Sequence, residues 1–93
     1  TIDTYFNDFL EQTKLENASM YDSREVALNY IMEKYSHIDK YNLELCKKHI
    51  SNLFPFTGER VDSLKEKKNI ENLFYRIADV EHTLLNNLDN FNN

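Results

Sequence analysis

Apolar residues recur along this chain at helical spacing almost from its first position. Ile2, Tyr5, Phe6, Phe9, Leu10 and Thr13 fall at i, i+3, i+4, i+7, i+8 and i+11, the signature of an amphipathic helix. With Asp3 or Thr4 as cap, a first helix is predicted over about 4–16. A loop holding Met20 and Tyr21 follows. Asp22-Ser23-Arg24-Glu25 reads as a capping box with Asp22 as acceptor, opening a second helix that runs to about Tyr35. Val26, Ala27, Leu28, Tyr30, Ile31, Met32 and Tyr35 make that helix apolar on nearly every side. Such a helix is expected to be the most buried.

After the break at Ser36–Asp39, Asp39 or Asn42 caps a third helix ending near Phe54. Its stripe is Leu43, Cys46, His49, Ile50, Leu53 and Phe54. Pro55 disfavours helix at the residue before it, so Phe54–Gly58 is a stop and a loop. A single helix over 59–91 would be about 50 Å long, more than a small core can cover. Ile70, Leu73, Phe74, Ile77, Val80, Leu84, Leu88 and Phe91 share one stripe, and Val61 and Leu64 fall on roughly the opposite side. A break at Lys68–Asn69 is therefore expected, with a short helix over 59–68 and a long one capped by Asn69 and running to about Asp89. The pattern predicts an all-α fold: one domain spanning 1–93, a small antiparallel helical bundle of four main helices plus a short extra one.

Composition narrows the chemistry. The chain has 93 residues, one Gly (Gly58), one Pro (Pro55), one Cys and no Trp. One glycine cannot build a phosphate loop or a dinucleotide fingerprint. A lone cysteine excludes an internal disulfide, and no stretch reaches the roughly 18 apolar residues of a membrane span, so a cytoplasmic protein is expected. The abundance of Asn, Lys and Tyr fits an A+T-rich genome, as in low-G+C bacteria, their mobile elements or large DNA viruses. Net charge is −5, and residues 1–22 alone carry −4. That balance opposes nucleic acid and anionic membrane and favours a basic protein partner.

Few constellations carry chemistry. Cys46 and His49 stand one turn apart and could form one edge of a zinc site or a nucleophile–base pair. Both lie inside an apolar stripe, so packed core residues are expected, with no metal, no cofactor and no small-molecule substrate. The carboxylate pairs Asp8/Glu11 and Glu71/Asp79 fall on solvated faces. A helix-turn-helix reading of the second and third helices would present Lys40, Lys47 and Lys48, but with Asp39 and Glu44 among them. Ile70, Ile77, Leu84 and Phe91 recur every seven residues, which allows a homodimeric coiled-coil seam; the stripe is wider than a seam and fits a core-facing helix better.

Ile50-Ser51-Asn52-Leu53-Phe54 to Leu73-Phe74-Tyr75-Arg76-Ile77 resembles, in its apolar spacing, the third and fourth helices of class IIa bacteriocin immunity proteins. The resemblance covers about a third of the chain and implies an antiparallel four-helix bundle; members of that family are more basic. The function expected is non-enzymatic: a protein-binding domain or small inhibitor or immunity-type protein, monomer or homodimer. Two acidic surfaces are the candidate contacts, Asp8, Glu11 and Glu16 near the first helix and the row Glu71, Tyr75, Asp79 and His82 on the last. The Phe54–Gly58 loop, with its two phenylalanines, is the fallback.

Overall fold

A computed structural model describes residues 2–17, 20–55, 60–61 and 67–92. Those residues are mostly helical: α1 (Ile2–Thr13), α2 (Ser23–Lys34), α3 (Lys40–Leu53) and α4 (Lys67–Asn92), with a 3₁₀ turn at Leu15–Asn17. No described helix is long and apolar enough to cross a membrane.

The helix starts follow the caps. The Asp22 carboxylate accepts from the Glu25 backbone N–H at 3.2 Å, and Asp39 accepts from the Asn42 N–H at 3.1 Å and from the Asn42 side chain at 2.7 Å. Asp39, not Asn42, is thus the cap of α3, and its acceptor role holds its carboxyl below the ordinary range, led by the Asn42 bonds. Asn42 itself is buried.

α1 spans the apolar stripe, Ile2–Thr13, so Asp3 and Thr4 lie inside it and do not cap it, and it stops short of the expected end near residue 16. Lys14 takes φ 57°, the left-handed turn that ends a helix, and donates its N–H to Leu10 O at 2.9 Å. The turn carries Leu15 into the core, while Tyr5, inside the predicted stripe, is 68% exposed. A further departure lies at Tyr21–Asp22, which pairs antiparallel with Arg60–Val61 in register Tyr21↔Val61 and Asp22↔Arg60. Extended backbone at 60–61 corrects the expected helix over 59–68; the remainder of that stretch up to Glu66 lies outside the described residues. α4 begins at Lys67, so Asn69 sits in its first turn and does not cap it.

α4, about 39 Å long at 1.5 Å per residue, spans most of the 45 Å long axis. Ile70, Leu73, Ile77, Val80 and Leu84 are all buried, and α3 packs on them most extensively, with α2 on both. The expectation that α2 is the most buried is therefore corrected. Only Ser23, Ala27 and Ile31 of α2 are buried, and Met32 is 42% exposed. A 12-residue helix that is apolar all round still has only the neighbours the topology supplies, and among the described residues one flank of α2 is only partly covered. The phenylalanines close the opposite side: Phe74 meets Phe6 at 5.2 Å and Phe9 at 5.4 Å between ring centroids, and Phe9 packs edge-on against Tyr30.

Candidate functional site

Among the described residues, polar side chains tie the helices together at several places, of which three are hydrogen-bonded clusters between elements. At the first, Glu81 of α4 accepts from Lys34 Nζ at 2.8 Å and from the Tyr35 hydroxyl, while Lys34 Nζ stands 5.5 Å and 5.7 Å from the Tyr30 and Tyr35 ring centroids. Burial, then the hydrogen bond to Glu81 and its charge, push the Tyr35 phenol far above its ordinary pKa. Burial pulls Lys34 down, but the Glu81 hydrogen bond and charge outweigh it and leave the ammonium raised. At the second, Arg24 Nη2 donates to Ser51 Oγ at 2.7 Å, and Ser51 Oγ donates to Lys47 O at 3.0 Å. At the third, Arg76 Nη1 donates to Leu53 O at 3.3 Å with its guanidinium 4.2 Å over the Phe54 ring. That arginine closes the C-terminal end of α3. Phe54 is fully buried under it, which removes this phenylalanine from the fallback loop surface; Phe56 to Gly58 lie outside the described residues.

Cys46 and His49 separate. Cys46 is buried and burial alone raises its thiol pKa, the opposite of what a thiolate nucleophile needs. His49 is half-buried, and its Nε2, shielded from solvent, lies 3.4 Å from Asp79 Oδ2. The cavity beside them, lined by Cys46, His49, Thr83 and Asn87 among others, measures about 20 Å³, far below a substrate pocket. Among the described residues, no three His, Cys, Asp or Glu side chains converge as metal ligands must.

The predicted surface residues point outward. Asp8, Glu11 and Glu16 are exposed, and among the described residues none has an ion-pair partner. Glu11 and Glu16 line a shallow depression with Asn7, Leu10, Lys14 and Asn17. In the α4 row Glu71, Tyr75, Asp79 and His82 are all exposed, Tyr75 at 56% with its ring 5.6 Å from Phe74. Asp79 is engaged by His49, and His82 lies 3.3 Å from Asn86, so two of the four already have partners. Nothing pairs the α1 carboxylates with the α4 row. Of the lysines of the helix-turn-helix reading, Lys47 and Lys48 line a shallow face of α3 with Tyr41 and Glu44, Lys40 does not, and Lys47 pairs with Glu44 at 3.5 Å.

A third surface escaped the sequence reading. Two depressions, lined by Gln12, Thr13, Val26, Asn29, Tyr30 and Glu33 and by Met20, Tyr21, Asp22, Glu25, Val26 and Asn29, meet at Val26 and Asn29. Their α2 positions fall at 22, 25, 26, 29, 30 and 33, a helical face whose period was visible, but whose concavity depends on where α1 packs.

No family model matches this chain, and neither a curated protein nor a solved structure matches it.

Proposed function

We propose that this chain is a non-enzymatic protein-binding domain of the small inhibitor or immunity type, encoded by a mobile element or virus. In this reading an antiparallel helical bundle serves as the scaffold, and an acidic helical surface meets a basic region of a larger protein. The observation that carries it is the exposed set Asp8, Glu11 and Glu16, without ion-pair partners among the described residues, on a chain of net charge −5. Exposed charges of one sign attract an oppositely charged partner and speed its encounter. The exposed Tyr75 on the α4 row supplies a second, aromatic contact of the kind that anchors interfaces.

A homodimer built on the Ile70–Leu84 stripe is disfavoured, because those side chains are buried within one chain. Affinity capture from the native cell, followed by kinetics on the purified pair, tests the proposal. Asp8→Lys with Glu11→Lys should slow association and flatten its salt dependence, and Tyr75→Ala should speed dissociation. A dimer by light scattering with no captured partner, or a salt-sensitive shift of duplex DNA, would sink it.

A further inference from the structure

α2 carries two cations, and each is drawn to a partner on a neighbouring helix, Arg24 half-buried and Lys34 at the surface. Arg24 reaches Ser51 of α3, and Lys34 reaches Glu81 of α4. Asp22, Glu25 and Glu33 line the two joined depressions described above, and among the described residues no Lys, Arg or His lines them. Lys34, held by Glu81, stands at one end, 3.5 Å from the Tyr30 hydroxyl. Burial raises the Tyr30 phenol's pKa, the Lys34 charge works against it, and Glu81 and, least, Asp8 of α1 add to the rise. The floor is partly apolar: Val26 and Tyr30 are half-buried, and Met20 at one end is 52% exposed. From Asp22 to Glu33 the trough runs about 16 Å, three helical turns. The depressions hold about 190 Å³ and about 270 Å³.

We infer that this trough, floored by Val26 and Tyr30 and edged by Asp22, Glu25 and Glu33, docks a three-turn amphipathic helix of a partner protein whose apolar stripe is flanked by lysines or arginines. Charge complementarity selects the occupant. A second copy of this acidic chain, a phosphate backbone and an anionic bilayer would each set like charge against the rim. An apolar stripe at i, i+3 or i+4 and i+7 covers Met20, Val26 and Tyr30 as helix-in-groove recognition requires. The inference rests on the protein-binding reading and adds to it the place and the form of the contact.

The test is a titration of the isotope-labelled full chain by NMR. The probe is a synthetic peptide of about 14 residues, long enough to cover 16 Å with a spare turn, built of leucine and lysine in amphipathic register. A scrambled peptide of the same composition is the control. Backbone shifts should cluster at residues 12–13, 20–22 and 25–33, and weaken as salt rises. Glu25→Lys with Glu33→Lys should reduce affinity about tenfold, which is about 1.4 kcal/mol. Asn29→Arg, a change at an exposed position, should reduce it similarly with an unchanged circular dichroism spectrum and denaturation midpoint. Shifts centred on Glu11 and Glu16, or on Glu71 to His82, would overturn the trough and leave the acidic-surface reading standing. Absence of binding, or equal binding and equal shifts with the scrambled peptide, would also overturn the trough. Capture of a native partner unaffected by Asn29→Arg would overturn it as well while upholding the broader function.

Discussion

Glu81 offers the sharpest test of what holds these helices together, because one carboxylate serves both Lys34 and Tyr35. Glu81→Ala removes two interactions of different worth. The Tyr35 hydroxyl donates to an ionised acceptor in a partly buried setting, a bond worth about 1.5–3 kcal/mol. The Lys34 pair is half in solvent, with side-chain exposures of 43% and 18%, and is discounted to about 0.2–1 kcal/mol. The alanine variant should therefore lose about 2–4 kcal/mol at neutral pH. Glu81→Gln keeps an acceptor and loses the charge, so its cost should be nearer 1 kcal/mol. Alkaline pH adds a second readout with a defined sign. Tyr35 and Lys34 both hold their protons more tightly folded than unfolded. Their contribution is complete below the unfolded pKa values of 10.0 and 10.5 and is lost as pH rises beyond them. Once the unfolded chain has lost the Tyr35 proton and the native chain keeps it, each further pH unit costs about 1.4 kcal/mol. Urea titrations at pH 7, 9, 10 and about 11 measure both effects. Wild type should weaken more steeply than Glu81→Gln above pH 10. Midpoints of the two variants within 0.5 kcal/mol of wild type at pH 7, together with parallel alkaline slopes, would refute this account of the cluster.

Other changes separate backbone, capping and core effects. Lys14→Gly should stabilise the chain by about 0.5 kcal/mol in thermal denaturation, since relief of the left-handed φ of 57° outweighs the extra entropy of the unfolded glycine. Arg76→Lys should cost about 1–2 kcal/mol in urea, because an ammonium cannot stack on Phe54 and bond Leu53 O with the same planar group. Ile31→Ala, at a fully buried position, should cost about 2–5 kcal/mol despite the open flank of its helix. Cys46 should react slowly with a thiol reagent in the folded chain and rapidly in denaturant, as its burial and raised pKa require.

Much of the fold is local, and local features are legible. Asp22 and Asp39 cap where their short acceptor side chains precede an apolar period, and Pro55 stops α3 because the residue before a proline avoids helical backbone. The Ile70–Leu84 stripe is buried because its period matches an uninterrupted helix with a core on one side. What failed depends on partners distant in the chain. The Tyr21–Asp22 pairing with Arg60–Val61 joins segments about 40 residues apart, each two residues long, too short to show a strand period. Leu15 enters the core through a left-handed lysine, a conformation that no residue preference would place there. α2 was overrated because apolar content measures what a helix could bury, whereas burial itself is set by how many neighbours reach it.

The same distinction governs the surface. Counted along the sequence, residues 23–54 are nearly neutral, at +1, which draws attention to the acidic N-terminal segment and away from α2. Folding redistributes that charge. Arg24 and Lys34 leave the count of the solvent-facing flank by turning to Ser51 and Glu81, 27 and 47 residues further along the chain. The carboxylates Glu25 and Glu33, one residue away from each cation in sequence, stay outside because a step of one residue rotates a side chain about 100° around the helix. A near-neutral helix thus sets its carboxylates along one flank and turns its cations towards α3 and α4. On the proposed reading, which face meets a partner is consequently a property of the ion pairs and hydrogen bonds between the helices. Substitution of Ser51 or Glu81, far from the trough in sequence, would free Arg24 or Lys34 and weaken the trough's acidic field without touching a residue that lines it.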